Sequence, residues 1–203
     1  MLEARELTCR RGDATLFSGL SFALAAGEVL LVRGANGSGK TSLMRILAGL
    51  ATPESGELSW QGAKLEPRHP ALRNCTIYLG HQAPLKDDLT ALENLDFALR
   101  LDGISVGRPR LLAALGEVGL AARRHLRARH LSQGQRRRIG LARLTLSRRK
   151  LWLLDEPLTA LDAAGIALFG AHLDAHAAEG GMAIVTTHQD LGQHRNMREL
   201  VLQ

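Results

Sequence analysis

Along residues 2–32 the apolar positions come in short runs, LEARELT, LSFAL and EVLLV, separated by the polar stretches RRGDAT and AAG. Short alternating or continuous apolar runs bounded by turn residues predict strands. The period then changes. In SLMRILAGL, Leu43, Ile46, Leu47 and Leu50 recur at intervals of three and four, which puts them on one face of a helix. GELSWQG and CTIYLG again read as strands, and TALENLDFALRL as a helix with Thr90 as N-cap and Glu93 at the capping-box position. Residues 90–149 carry almost no strand signal, and both RPRLLAALGEVGL and SQGQRRRIGLARLTLSRRK are amphipathic. LWLLD, MAIVTT and ELVLQ close the chain as strands, with LDAAGIALFGAHLDAHAAEGG a helix between the first two. The pattern predicts a single α/β domain over 1–203: residues 1–89 and 150–203 form the core, and about 90–149 an inserted helical sub-domain.

Composition narrows this picture. A chain of 203 residues with 45% hydrophobic content is long and apolar enough for a sizeable core. Only 3% of residues are aromatic, so stacking platforms for single-stranded nucleic acid are scarce. No apolar run reaches the length of a membrane span, and MLEARELTCRRGD carries charge where a signal peptide needs an apolar region. A cytoplasmic protein is expected. Cys9 and Cys75 have no metal-site or disulfide-framework spacing and are expected to be buried and reduced.

The stretch GANGSGKT, Gly34 to Thr41, matches G-x-x-x-x-G-K-[ST] with a predicted strand before it and a predicted helix after it. Gly34, Gly37 and Gly39 let the backbone curl so that successive N–H groups point at a phosphate. Lys40 would neutralise the β- and γ-phosphates and Thr41 would ligate Mg²⁺, with the helix N-terminus adding its partial positive charge. Ala35, Asn36, Ser38 and Ser42 complete the expected cradle for ATP. Such a loop needs a carboxylate at the end of a second apolar strand, and LWLLDEP supplies Asp155 for the metal side and Glu156 to polarise an attacking water. The formal charge of +6 is concentrated between Arg123 and Lys150, in RRHLRARHLSQGQRRR and LSRRK. That is expected to be a solvated helix face beside the nucleotide site; a surface for nucleic acid, anionic lipid or a phosphorylated ligand is the alternative.

LSQGQ, Leu131 to Gln135, precedes LWLLDEP, and Gln82, the ALD of TALD and His188 lie around them. With these five ordered motifs the chain resembles, over essentially its full length, the nucleotide-binding subunits of ABC transporters. The resemblance implies an α/β P-loop NTPase of ABC ATPase type, with a mixed sheet core, antiparallel N-terminal strands and the inserted helical sub-domain. It also implies a homodimer facing head to tail as an ATP sandwich, each nucleotide lying between one loop 34–41 and the other copy's LSQGQ. Ser132, Gly134 and Gln135 would then serve the partner's nucleotide, and Ser132, as a helix N-cap, suits an anion. Gln82 corresponds to the family's metal- and water-contacting glutamine, His188 to its switch histidine, and Asp162 to the aspartate that couples the two sites. Gln133 stands where the family has glycine. Where many relatives place an aromatic ring under adenine this chain has Arg11, whose guanidinium plane can also stack on a base; Phe17 is the alternative.

Within that family the short helical segment from Gln82 to Leu131 and the phrases LFSGLSF, GHQ, LTALENL, LWLLDEP and TTHQ resemble the CcmA family, ATP-binding subunits of the bacterial haem exporter of cytochrome c maturation. This implies a CcmB-like integral membrane permease as partner, with CcmC-like and CcmE-like proteins, at the cytoplasmic face of the inner membrane and no nucleic acid. A soluble ABC ATPase acting on ribosomes or DNA would carry two cassettes or a coiled-coil or zinc insertion. A short cassette for lipoprotein release or cell division would share every ATP motif and differ in its membrane partner.

Overall fold

The computed structural model describes residues 1–66, 69–81, 84–192, 194 and 196–202. It divides into two compact units, Met1–Gly80 with Arg149–Pro157 and Leu173–Gln203, and His81–Arg148 with Leu158–His172. In chain order the elements are β1 Leu2–Arg11, β2 Ala14–Leu24, β3 Val29–Gly34, α1 Lys40–Leu47, β4 Ser55–Trp60, β5 Ala63–Leu65, α2 Pro70–Cys75, β6 Thr76–Leu79, α3 Ala91–Leu101, α4 Arg108–Glu117, α5 Gln133–Ser147, β7 Leu151–Asp155, α6 Ala163–Ala178, β8 Met182–Thr186 and β9 Met197–Leu202.

In the first unit the expected mixture of strand directions is partitioned between two sheets. One is antiparallel, in the order β2-β1-β4-β5, with Leu2 opposite Leu24 at one end of β1 and Arg11 opposite Ala14 at the other. The other is parallel throughout, in the order β6-β7-β8-β3-β9. Every residue of β7 and β8 is buried, as a strand covered on both faces requires. Leu43, Met44, Ile46 and Leu47 of α1 join Leu2, Leu7, Leu24, Leu30 and Leu153 in the core. The helix is shorter than its apolar spacing suggests. The Gly49 amide donates to Ile46 O at 2.9 Å and the Leu50 amide to Arg45 O at 2.8 Å, which closes the last turn as a Schellman motif. Leu50 therefore leaves the helical face and is 62% exposed.

The second unit is helical. Helix α5 packs against α3 and α4, and Leu95, Leu99, Leu115, Val118, Ile139 and Leu141 are almost fully buried. The capping box of α3 forms as its sequence predicts: Glu93 N donates to Thr90 Oγ1 at 3.2 Å and Thr90 N to Glu93 Oε2 at 2.8 Å. Asn94, 2% exposed, clips the preceding loop by accepting from Lys86 N and donating to the carbonyls of Lys86, Leu89 and Thr90. Much of the basic segment is tied up internally, Arg129 to Asp88, Arg136 to Asp87, Arg138 to Asp162 and Arg143 to Asp102. Both cysteines are free thiols pushed up by burial, Cys9 buried and Cys75 only half-buried.

Candidate nucleotide site

Strand β3 runs into an exposed crest at Ala35, Asn36 and Gly37 before the chain enters α1. Gly39 caps that helix at φ 95°, and a Cβ there would lie 2.9 Å from Phe17 Cδ1 and 3.0 Å from Leu16 Cβ. Only glycine fits. No side chain caps α1, and its first intrahelical bond runs from Leu43 N to Gly39 O at 2.8 Å. The amides of Lys40, Thr41 and Ser42 are thus the free donors of a helix N-terminus, which carries partial positive charge. Lys40 is 9% exposed and folds back on the loop, its Nζ donating to Gly34 O at 2.8 Å and Ala35 O at 3.0 Å. The buried Ser38 hydroxyl has no partner among the described residues. Curled backbone, cation and unpartnered hydroxyl together suit a polyphosphate.

Phe17 is occupied elsewhere: it is 6% exposed and packs beneath Gly39, so it presents no face to a base. Arg11 is exposed at the end of β1.

The ends of β7 and β8 add the carboxylates and the histidine. Thr186, the last residue of β8, is the register partner of both Val32 on β3 and Asp155 on β7. It is completely buried, and its Oγ1 donates to Asp155 Oδ1 at 2.7 Å. Its Oγ1 and its carbonyl oxygen both accept from Glu156 N at 3.0 Å. One threonine therefore orients the Asp155 carboxylate and fixes the backbone of the next residue. Glu156 sits at φ 51°, a conformation that costs a non-glycine residue about 1–3 kcal/mol and that the surroundings must hold in place. Its Oε1 lies 3.5 Å from Nε2 of His188, which follows β8. Tyr78 on β6 completes the setting: burial first, and then the negative charge of Asp155, push its phenol up. Sequence reasoning missed Thr186 and Tyr78. The available signal for the first was a polar residue ending an otherwise apolar buried strand.

The second unit holds LSQGQ. Ser132 is the N-cap of α5, its Oγ accepting from Gln135 N at 3.2 Å while Gln135 Oε1 accepts from Ser132 N at 3.1 Å. Gln133 is exposed, so a side chain is accommodated where the family has glycine. Gly134 has no such latitude: a Cβ would stand 2.4 Å from Ala160 O. Asp162 leads into α6, its Oδ1 accepting from Gly165 N at 2.9 Å and from Arg138 Nη2 at 2.5 Å. These two contacts, the Gly165 amide first, hold its carboxyl below the ordinary range. Lys40, Thr41, Asp155, Glu156 and His188 thus belong to the first unit, and Ser132, Gly134, Gln135 and Asp162 to the second. Gln82 lies outside the described residues.

For Mg²⁺, Thr41 and Asp155 offer hard oxygen donors of the type this ion takes. No cluster of three or more His, Cys, Asp or Glu among the described residues could hold a metal.

Residues 17–159 match the ABC transporter family. The chain is 52% identical over 191 residues to the cytochrome c biogenesis ATP-binding export protein CcmA of Nitrosomonas europaea, a match covering 94% of this chain and 90% of that protein. It is 48% identical over 203 residues to the CcmA of Salmonella typhi, covering 100% and 97% of the two chains. Among solved structures, the ATP-binding cassette MJ0796, in a dimeric post-hydrolysis state bound to ADP and Pi, superposes with a TM-score of 0.84 at 25% identity, covering 100% of this chain and 94% of that one. An ABC transporter ATP-binding protein of Pyrococcus furiosus gives 0.84 at 23% identity, over 98% and 96% of the two chains, and shares the fold.

Proposed function

Since the chain belongs to the ABC transporter family, and within it to the CcmA export proteins, we propose that it is the ATP-hydrolysing subunit of a membrane export complex in cytochrome c biogenesis. The observation that carries the catalytic part is the meeting of three strand ends of one parallel sheet. The uncapped phosphate loop follows β3, the Asp155–Glu156 pair ends β7, and His188 follows β8, with Thr186 in register between them.

In this reading residues 34–42 bind the triphosphate through backbone amides, and Lys40 exchanges its two loop carbonyls for phosphate oxygens. Thr41 and Asp155, with Gln82, would hold Mg²⁺, which when bound would screen the phosphate charge. Glu156 accepts a proton from the water that attacks the γ-phosphorus in line as the bond to the β,γ-bridging oxygen breaks, releasing ADP and inorganic phosphate, and its fixed backbone aims the carboxylate. His188 stands beside Glu156 and meets the γ-phosphate. Ser132, Gly134 and Gln135 of the partner subunit close the site from the other side of a head-to-tail dimer. Asp162 couples the two sites, and Arg11 is the candidate to stack on adenine.

Among the described residues no helix is long and apolar enough to cross a membrane. In this reading the transport step falls to an integral CcmB-like permease, with the chain bound peripherally at the cytoplasmic face. CcmC-like and CcmE-like proteins act alongside, and the outcome is export of haem or release of a haem-loaded chaperone. The roughly 50% identity to CcmA proteins favours this over a lipoprotein-release or cell-division cassette.

Glu156→Gln tests the assignment. The amide keeps the shape and loses the base, so Mg·ATP binding is retained while turnover falls at least about a hundredfold. Single-turnover hydrolysis within a few-fold of wild type would remove Glu156 from the chemistry.

A further inference from the structure

Three consecutive arginines follow LSQGQ on α5, and between them they reach the chain on both sides of Gln82 and the loop carrying Asp162. Successive helical residues project about 100° apart, so Arg136, Arg137 and Arg138 fan across separate sectors. Arg136 Nη2 donates to Asp87 Oδ1 at 2.5 Å, in the loop that follows Gln82 in sequence, and its Nε to Ala128 O at 3.0 Å. Arg137, 4% exposed, donates from Nη1 to the carbonyl of His81, the residue before Gln82, at 3.2 Å. Arg138 donates from Nη2 to Asp162 Oδ1 at 2.5 Å, in the loop that follows Glu156, and from Nη1 to Val118 O at 2.9 Å.

The socket around Arg138 is shaped for a guanidinium. A Cβ on Gly119 would come within 3.1 Å of its Nη1, and one on Gly165 within 3.2 Å of its Nη2. A planar fork bonding two acceptors at once is a task for arginine that a lysine ammonium does not reproduce. The same loop is held to α5 a second time, where Gly134 lies against Ala160 O with no room for a methyl group. The N-terminal turns of α5 are thus fastened by charge-assisted bonds to the chain on both sides of Gln82 and to the loop carrying Asp162.

We propose that Arg136, Arg137 and Arg138 are positioning residues that couple LSQGQ of one copy to the Gln82 and Asp162 loops of the same copy. When LSQGQ closes on the nucleotide held by the other subunit, its displacement is passed through these three side chains to the chain's own loops, so that occupancy of one site is felt at the other. This rests on the reading of LSQGQ as a contact made across a dimer. Arg143 supplies an internal control, because it lies on the same helix and makes a part-buried bidentate pair with Asp102 at 2.7 Å, so that its bonds go to the end of α3 instead of these loops.

The test uses the full chain carrying Glu156→Gln, with Mg·ATP as the probe. Two quantities are read, ATP affinity at concentrations where the chain is monomeric and the ATP concentration that half-saturates dimer formation. Adding Arg138→Gln should leave the monomer's affinity within about twofold and raise the half-saturating concentration for dimerisation at least about tenfold, the loss expected for charge-assisted hydrogen bonds. Arg138→Lys should fall between, and Arg143→Gln should leave dimerisation unchanged while lowering thermal stability. Dimerisation that survives Arg138→Gln, or is impaired equally by Arg143→Gln, overturns the coupling and leaves the sandwich standing. If Glu156→Gln alone binds ATP and does not dimerise, the sandwich reading fails and the coupling falls with it.

Discussion

Helices α1 and α5 both begin at residues assigned to the nucleotide, and they begin in opposite ways. Helix α1 has glycine as N-cap and no side chain on its first amides, and its lysine is folded into the loop ahead of it. Helix α5 is closed on itself by the reciprocal bonds of Ser132 and Gln135. An uncapped N-terminus joined to a cation is a complete anion site on its own. In α5 the cap already gives one of the first amides, Gln135 N, an acceptor and leaves fewer of them free. The contrast fits the proposed division of work, in which α1 would bind nucleotide in a single chain and α5 would act on a nucleotide brought by a second chain.

Lys40→Ala should produce the largest break in this contrast. It removes a charge-assisted contact worth about 1.5–3 kcal/mol, so Mg·ATP affinity by calorimetry should fall roughly ten- to a hundredfold; unchanged affinity would deny α1 its role. Next comes Gly134→Ala, which sets a methyl group against Ala160 O at 2.4 Å. The clash forces a backbone shift of the kind that costs about 1–3 kcal/mol. Denaturant unfolding should report that loss, and ATP-dependent dimerisation should be impaired with monomer affinity intact. Ser132→Ala removes a neutral cap and should lower stability by about 1 kcal/mol, with Ser132→Thr largely restoring it.

The smallest effect concerns α6, which begins on the charged side chain of Asp162. Because the folded state holds this carboxyl below its ordinary range, its contribution is present above the unfolded pKa of about 3.9 and is lost as pH falls below that, through the lowered folded value. The difference in Tm between wild type and Asp162→Asn should therefore be constant from about pH 7 to 5 and shrink below about pH 4. A neutral serine cap gives no such dependence, so Ser132→Ala should show a flat difference over the same range.

Side-chain caps were legible from local sequence, because a cap is a matter of four consecutive residues. Thr90 with Glu93 declares a capping box and Ser132 an N-cap, while the return bond from Gln135 and the uncapped start at Gly39 are seen only in the structure. Features set by distant pairing were not. Thr186 matters because β8 is placed beside β7, and its partners Asp155 and Glu156 come from another strand end. The apolar period ran on to Leu50 because it has no means of registering the turn made at Gly49. Strand β5 escaped notice because it is three residues long and reached through Gln61-Gly62, whose φ values of 53° and 82° form a tight hairpin from a weak turn pair. The basic segment invited a polyanion because charge counting sees the arginines and not Asp87, Asp88, Asp102 and Asp162, which reach them from elsewhere in the chain.

The division of labour between α1 and α5 is tested most directly by titrating Mg·ATP into the Ser132→Arg, Glu156→Gln double variant at a concentration where it is verified to be monomeric. The account predicts a dissociation constant within about twofold of that of Glu156→Gln alone, with the ATP-dependent dimer abolished. An affinity loss in the monomer as large as that of Lys40→Ala would mean that α5 serves the nucleotide of its own chain, and would contradict it.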